Sequence, residues 1–153
     1  MSRMPEGRII GVGSPFGADR AGWEVVEYLQ TAGFPERFPD LDWRILDRPG
    51  PGLIEWLAGM DLVVIIDALL GGVPGRPRIV DAATLAGNEA DLSTHGFGVA
   101  EALAIAEALG DLPRQLAILA IEVGDGEQEV HYDYPAIADY LGRLLSDCGN
   151  SSR

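Results

Sequence analysis

The sequence contains no lysine and a single cysteine, and both shortages exclude whole classes of chemistry. All 11 basic residues are arginine, so the chain offers neither a Schiff-base lysine nor the lysine of a Walker-type nucleotide site. One cysteine, Cys148, can form neither an intrachain disulfide nor a CxxC metal site. Apolar runs are short, as at residues 62–66, whereas a membrane-spanning helix needs about 20 apolar residues.

Positive charge is also scarce. The formal net charge is −13, and this sign disfavours both nucleic acids and anionic membranes, whose binding needs clustered basic side chains. Residues 1–7 are polar and hold no apolar signal-peptide core. We therefore expect a cytoplasmic protein without a nucleic-acid or membrane partner. No pattern in the sequence indicates its oligomeric state.

Length and patterning predict a single α/β domain over residues 1–153, with a flexible tail at residues 146–153. The chain has 153 residues, 47% of them hydrophobic, which is enough for one sizeable core. Strand-like segments alternate with helical ones, as is typical of a three-layer α/β/α sandwich around a mostly parallel five-stranded sheet. The predicted strands are residues 8–13, 43–47, 62–68, 78–81 and 115–123, and the predicted helices are residues 21–32, 52–59, 98–109 and 135–145. The helix at residues 98–109 is so rich in alanine and leucine that we expect it to be nearly buried.

Candidate chemistry lies at the carboxyl ends of the strands, where open α/β sheets bind their ligands. Asp67 directly follows the apolar residues 63–66, where a charged carboxylate is costly unless it faces a cleft, a partner or a metal. Asp19 precedes the first predicted helix and could equally serve as its N-cap. His95, one of two histidines, lies in a loop of small residues. Two carboxylates and an imidazole suit a first-row metal ion, although their spacing has no local signature.

Two other kinds of site are disfavoured by the same segments. Gly11 and Gly13 open a dinucleotide fingerprint, but Phe16 replaces its third glycine and Pro15 removes an N–H that a phosphate would need. We expect no organic cofactor. A serine nucleophile is also disfavoured, because Ser93 lies two residues from the histidine and no G-x-S-x-G elbow is present.

Three segments, in chain order, resemble those of the hydrogenase maturation proteases. The run GVGSPFGADRAG at residues 11–22 resembles that family's opening G-x-G-N-P-L-x-G-D-D-G-x-G. The run VIIDA at residues 64–68 is similar to its apolar strand ending in Asp-Ala, and STHGFG at residues 93–98 is similar to its histidine segment ahead of a helix. The resemblance covers roughly residues 8–145.

The resemblance implies a function and a site. Members of that family are endopeptidases that remove a C-terminal extension from the large-subunit precursor of a nickel–iron hydrogenase after nickel insertion. Two acids and a histidine are thought to read the nickel, and by position these are Asp19, Asp67 and His95. The resemblance thus makes these three the catalytic and metal-contacting residues, with nickel supplied by the precursor. The loop before Asp19 is one residue shorter than the family's, so an ungapped alignment would put Arg20 at the first acid.

A non-catalytic role is the alternative interpretation of the same pattern. The chain could be a nickel-dependent assembly factor or a flavodoxin-like module that binds a small molecule. Many functions share the α/β sandwich, so the predicted fold does not decide between them. The three matching segments favour the endopeptidase.

Overall fold

The computed structural model describes residues 7–85 and 98–151 and confirms the predicted α/β class. The sheet contains β1 (Gly7–Gly13), β2 (Leu41–Asp47), β3 (Leu62–Leu69), β4 (Pro77–Val80) and β5 (Gln115–Glu122). The α-helices that lie wholly within the described residues are α1 (Ala21–Thr31), α2 (Phe34–Arg37), α3 (Leu53–Leu57), α4 (Val99–Leu109) and α5 (Tyr134–Ser151). Two short 3₁₀ helices, Gly17–Arg20 and Gly50–Gly52, precede α1 and α3.

The five strands form one sheet in the order β2-β1-β3-β5-β4. Strand β1 pairs in parallel with β2 and β3, and β3 pairs in parallel with β5, whereas β4 runs antiparallel to β5. The prediction of a mostly parallel five-stranded sheet is therefore confirmed. Strand β4 follows β3 after the short loop at residues 70–76. So short a connection reverses the chain, because a parallel return would need a crossover of a dozen or more residues.

Strand β3 is the centre of the molecule, and its eight residues are all buried. Because side chains alternate along a strand, Val64 and Ile66 pack on one side and Val63 and Ile65 on the other. We call the first side the α1–α5 face, since it is covered by those two helices, and the second the α3–α4 face. The sheet and the helices on its two faces form the three layers that the sequence predicts.

Helix α2 was not predicted, and helices α4 and α5 differ from expectation. Helix α4 is not nearly buried: Val99, Leu103 and Ala106 face the core, but Ile105 and Leu109 are exposed. It forms the outer layer of the α3–α4 face, and an outer helix buries only one stripe of side chains, however apolar its composition. Helix α5 continues to Ser151, well beyond the predicted end at residue 145. The mobility expected for residues 146–153 stays a prediction.

The order of the strands creates a switch point between β1 and β3. From β1 the chain passes through α1 to β2 on one side, and it then returns to β3 on the other side. Consecutive connections that diverge in this way leave a crevice at the carboxyl ends of the two strands, which is the usual ligand site of such sheets.

None of the helices described combines the length and hydrophobicity that crossing a bilayer requires.

Candidate active site at the carboxyl edge of the sheet

Asp67 lies near the carboxyl end of β3 and is 9% exposed. Its position between Ile65 and Leu69 puts it on the α3–α4 face by strand alternation. The backbone N–H of Ala68 donates a hydrogen bond of 2.8 Å to its Oδ1 atom. Burying a carboxylate in the central strand costs free energy that packing alone does not return. The burial expected from the sequence is thus observed, and it favours a functional role for this side chain.

Asp19 lies in the 3₁₀ helix that connects the end of β1 to α1. Backbone hydrogen bonds hold it there: its carbonyl accepts from Ser14 N–H at 3.2 Å, and its own N–H donates to the carbonyl of Phe16 at 3.1 Å. The N-cap of α1 is Arg20, and no side chain caps that helix. Asp19 therefore does not serve as the helix cap, which was the structural alternative to a functional role.

Two glycines let the start of helix α1 approach the carboxyl edge of the sheet closely. A Cβ atom at Gly13 would collide with the carbonyl oxygen of Asp19, and one at Gly22 would collide with the carbonyl oxygens of Val12 and Ile66. Helix α1 therefore begins directly against the backbone of β1 and of the residue that precedes Asp67. The two acids flank the switch point, Asp19 after β1 and Asp67 on β3.

The third predicted residue, His95, lies outside the described residues, as does Ser93. Helix α4, which begins at Val99, packs on the α3–α4 face. That is the face on which Asp67 lies. Among residues 7–85 and 98–151, no three His, Cys, Asp or Glu side chains are grouped so as to hold a metal ion. The two acids alone are thus an incomplete set of metal ligands.

A second buried carboxylate, Glu122, ends β5 and is 5% exposed. Alternation along β5 puts it on the α3–α4 face as well. One of its oxygens lies 3.3 Å from Nε of Arg76 and 3.4 Å from the N–H of Val73. These contacts of Glu122 therefore anchor the loop at residues 70–76, between β3 and β4. The sequence contains the same signal as for Asp67, an acid that ends an apolar run, and sequence reasoning missed it.

Two arginines are close to Asp19, Arg20 in sequence and Arg48 through the electrostatic effect of Asp19 on it. Arg20 lies 3.5 Å from Glu24 in the next helical turn, with both side chains partly exposed. Arg48 follows β2, and its Nε donates to Asp47 at 2.8 Å. The hydrogen bond with Asp47 raises the pKa of the Arg48 guanidinium above its usual value, and the charge of Asp19 adds to this. Arg48 is thus in electrostatic reach of the candidate acid.

Comparison with known proteins identifies the family. The sequence profile described as hydrogenase maturation protease matches residues 23–140, about three quarters of the chain. The matched range includes positions 67 and 95 but not Asp19. Among curated proteins, none matches the sequence.

Solved structures of the same class share the fold. The hydrogenase maturating endopeptidase HybD from E. coli is 20% identical, with a TM-score of 0.69 over 95% of this chain and 93% of that one. The [NiFe] hydrogenase maturation protease HycI from Thermococcus kodakarensis is 21% identical, with a TM-score of 0.58 over 94% of this chain and 92% of that one. At this identity the likeness concerns the fold alone.

The chain belongs to the hydrogenase maturation protease family. It is therefore an endopeptidase, and the predicted family, enzyme class and fold are confirmed. The non-catalytic alternatives, an assembly factor or a flavodoxin-like binding module, are not supported.

Proposed function

We propose that this endopeptidase removes the C-terminal extension of a nickel–iron hydrogenase large-subunit precursor after nickel insertion, and that Asp19, Asp67 and His95 recognise the nickel. The nickel belongs to the substrate, and no organic cofactor takes part. The observation that carries the proposal is the buried carboxylate of Asp67 beside the switch point, with Asp19 across it. Both acids lie where a doubly wound sheet binds its ligands.

The two acids differ in how firmly they are held. Asp67 is fixed in a central strand, with one oxygen already accepting the N–H of Ala68, whereas Asp19 lies in a partly exposed loop. A carboxylate can accept several hydrogen bonds or ligands. Asp67 would therefore provide a fixed contact to the incoming metal, and Asp19 would contact it from the 3₁₀ helix that follows β1. His95 would complete the set with the neutral nitrogen that nickel accepts.

Recognition of the metal by these residues would make cleavage depend on whether nickel has been inserted into the precursor. A precursor that lacks nickel cannot make the contacts, so it should bind weakly and keep its extension. Peptide hydrolysis itself breaks the C–N bond and adds the elements of water, giving one carboxylate and one amine. The net charge of −13 suits a cationic site in the partner better than a nucleic acid or an anionic surface.

The experiment is processing of a purified nickel-loaded precursor, with the products weighed by mass spectrometry. We expect a single cut that releases the C-terminal extension. Intact loaded precursor after prolonged incubation with folded enzyme would contradict the proposed function. Because imidazolium does not bind metals and imidazole ordinarily gains its proton at about pH 6.5, the rate should fall below about pH 6. Processing by His95→Ala that matches the unchanged enzyme across the pH series would exclude the histidine from recognition.

A further inference from the structure

Arg48 has an unusual backbone conformation for its residue type. Its φ angle is 40°, and among residues 7–85 and 98–151 it is the only residue other than glycine with a positive value. Side chains with a Cβ atom adopt this left-handed conformation at a cost in free energy. Such strain persists where the surrounding structure enforces it, often at functional sites. The N–H of Arg48 donates to the carbonyl of Gly13 at 2.9 Å, which fixes the turn against the end of β1.

The strained backbone directs the Arg48 side chain onto the loop that holds Asp19. Its guanidinium lies 5.6 Å from the ring centroid of Phe16, which is 67% exposed. The same guanidinium also donates a hydrogen bond of 2.8 Å from Nε to Oδ1 of Asp47. Phe16 in turn accepts the N–H of Asp19 and donates its own N–H to Oγ of Ser14 at 3.4 Å. A contact with Phe16 is therefore also a constraint on the backbone of Asp19.

Arg44, four residues earlier on β2, makes the same types of contact without strain. It pairs with Asp42 at 2.9 Å and stacks on Trp56 at 5.1 Å. The two arginine side chains are also equally exposed, 47% for Arg44 and 46% for Arg48. An ion pair combined with an aromatic stack thus needs no left-handed backbone. What distinguishes Arg48 is the direction of its side chain, toward Phe16 and the candidate acid.

We propose that Arg48 is a positioning residue, whose guanidinium clamps Phe16 and so holds the 14–19 loop in the arrangement in which Asp19 meets the substrate. The inference rests on the proposed function only for the last step, the encounter of Asp19 with nickel. The clamp itself is a property of the free enzyme. Cation–π stacking at a partly exposed site is weak, which suits a contact that orders a loop rather than one that stabilises the whole fold.

The test uses Arg48→Asn, because asparagine tolerates positive φ but lacks the guanidinium. We expect the urea unfolding midpoint to be unchanged or higher, since strain is relieved. Amide hydrogen exchange in residues 14–19 should become at least about fivefold faster, because the loop opens more often. The KM for nickel-loaded precursor should rise about tenfold with a smaller change in kcat, as expected when a binding group is misplaced. Arg44→Ala is the matched control and should leave exchange in this loop and processing unchanged.

Two further variants separate positioning from a general structural role. Arg48→Lys keeps a cation that can stack on Phe16, so it should recover most of the lost affinity. Phe16→Ala should reproduce the effect of Arg48→Asn, and the double variant should lose no more than either single one, because both changes break the same contact. Additive losses would overturn the proposal.

The exchange measurement also separates this inference from the proposed function. If loop exchange is unchanged in Arg48→Asn, the clamp does not exist, whatever nickel does. If exchange accelerates and the pair is non-additive while nickel-free precursor is cut as fast as loaded precursor, the clamp stands and the nickel-recognition mechanism fails.

Discussion

The two faces of the sheet are covered by similarly apolar helices but differ in the charge that they bury. On the α1–α5 face, β3 contributes Val64, Ile66 and Ala68, all in the hydrophobic core. On the α3–α4 face the same strand contributes Asp67, and β5 contributes Glu122. A stable sheet has no need of buried carboxylates. The proposed function would explain why Asp67 is buried on the α3–α4 face, whereas the contacts of Glu122 are with the protein's own loop.

The largest effect should come from Asp67→Asn. Asparagine keeps the volume of the side chain and removes its charge, so a contact to the substrate's metal is lost while packing is retained. We expect the processing rate to fall at least about 100-fold, with an unfolding midpoint close to that of the unchanged protein. The measurements are processing of loaded precursor and urea denaturation.

Glu122→Gln is the matched control for Asp67→Asn. Glu122 is also buried on the same face, and its carboxylate contacts Arg76 and the N–H of Val73 in the loop after β3. This variant should keep most of the processing activity. Full activity in Asp67→Asn, or an equal loss in Glu122→Gln, would remove the distinction between a functional and a structural carboxylate.

Gly22→Ala should disturb the contact between helix α1 and the sheet. The added Cβ atom would meet backbone carbonyls of Val12 and Ile66, so α1 must move outward and Asp19 must move with it. Overpacking of this kind costs about 1–3 kcal/mol, and processing should fall as well. Gly52→Ala is the control, because its Cβ would meet nothing within 4 Å and its φ is −61°. Unchanged stability in Gly22→Ala would show that the close approach is not required.

Ile66→Val alters the α1–α5 face at the residue that precedes Asp67. Removal of one buried methylene from a fully packed position costs about 0.5–1.5 kcal/mol. Processing at a temperature well below the unfolding transition should be unaffected, because the side chain points away from the site. A loss of activity comparable to that of Asp67→Asn would mean that the two faces are not functionally separate.

The smallest effect concerns Tyr132, which packs on the α1–α5 face. Burial raises the pKa of its phenol above the ordinary value of 10.0, and the charge of Glu24 adds to this. Below pH 10 the phenol is neutral in both the folded and the unfolded chain. Above pH 10 it ionises in the unfolded chain first, so the folded state loses stability. The unfolding free energy of Tyr132→Phe should therefore decline less than that of the unchanged protein between pH 9 and pH 11, and parallel declines would contradict this.

The fold was predictable from the sequence because local patterns determine it. The first five residues of strand β3, Leu62 to Ile66, form a continuous apolar run, as a strand buried on both faces requires. The structure extends the predicted strand by only one residue, to Leu69. The exposed side of α4 was not predictable from composition. Alanine and leucine are compatible with either environment, and the position of α4 as an outer layer depends on tertiary packing.

The candidate site was predictable in part. An acid at the end of a buried strand identified Asp67, and the switch point that brings Asp19 to the same edge follows from strand order, which no local pattern contains. Arg48 was missed because a left-handed backbone at a residue other than glycine leaves no trace in the sequence. His95 and its role stay a prediction, since the residue lies outside the described ranges.

Comparing nickel-loaded with nickel-free precursor tests the central claim most directly. The two forms are incubated with the same amount of enzyme, and the released extension is followed by mass spectrometry over time. The account predicts that loaded precursor is processed and that nickel-free precursor keeps its extension, and that Asp67→Asn cuts neither. Equal rates for the two forms would contradict recognition of nickel by Asp19, Asp67 and His95.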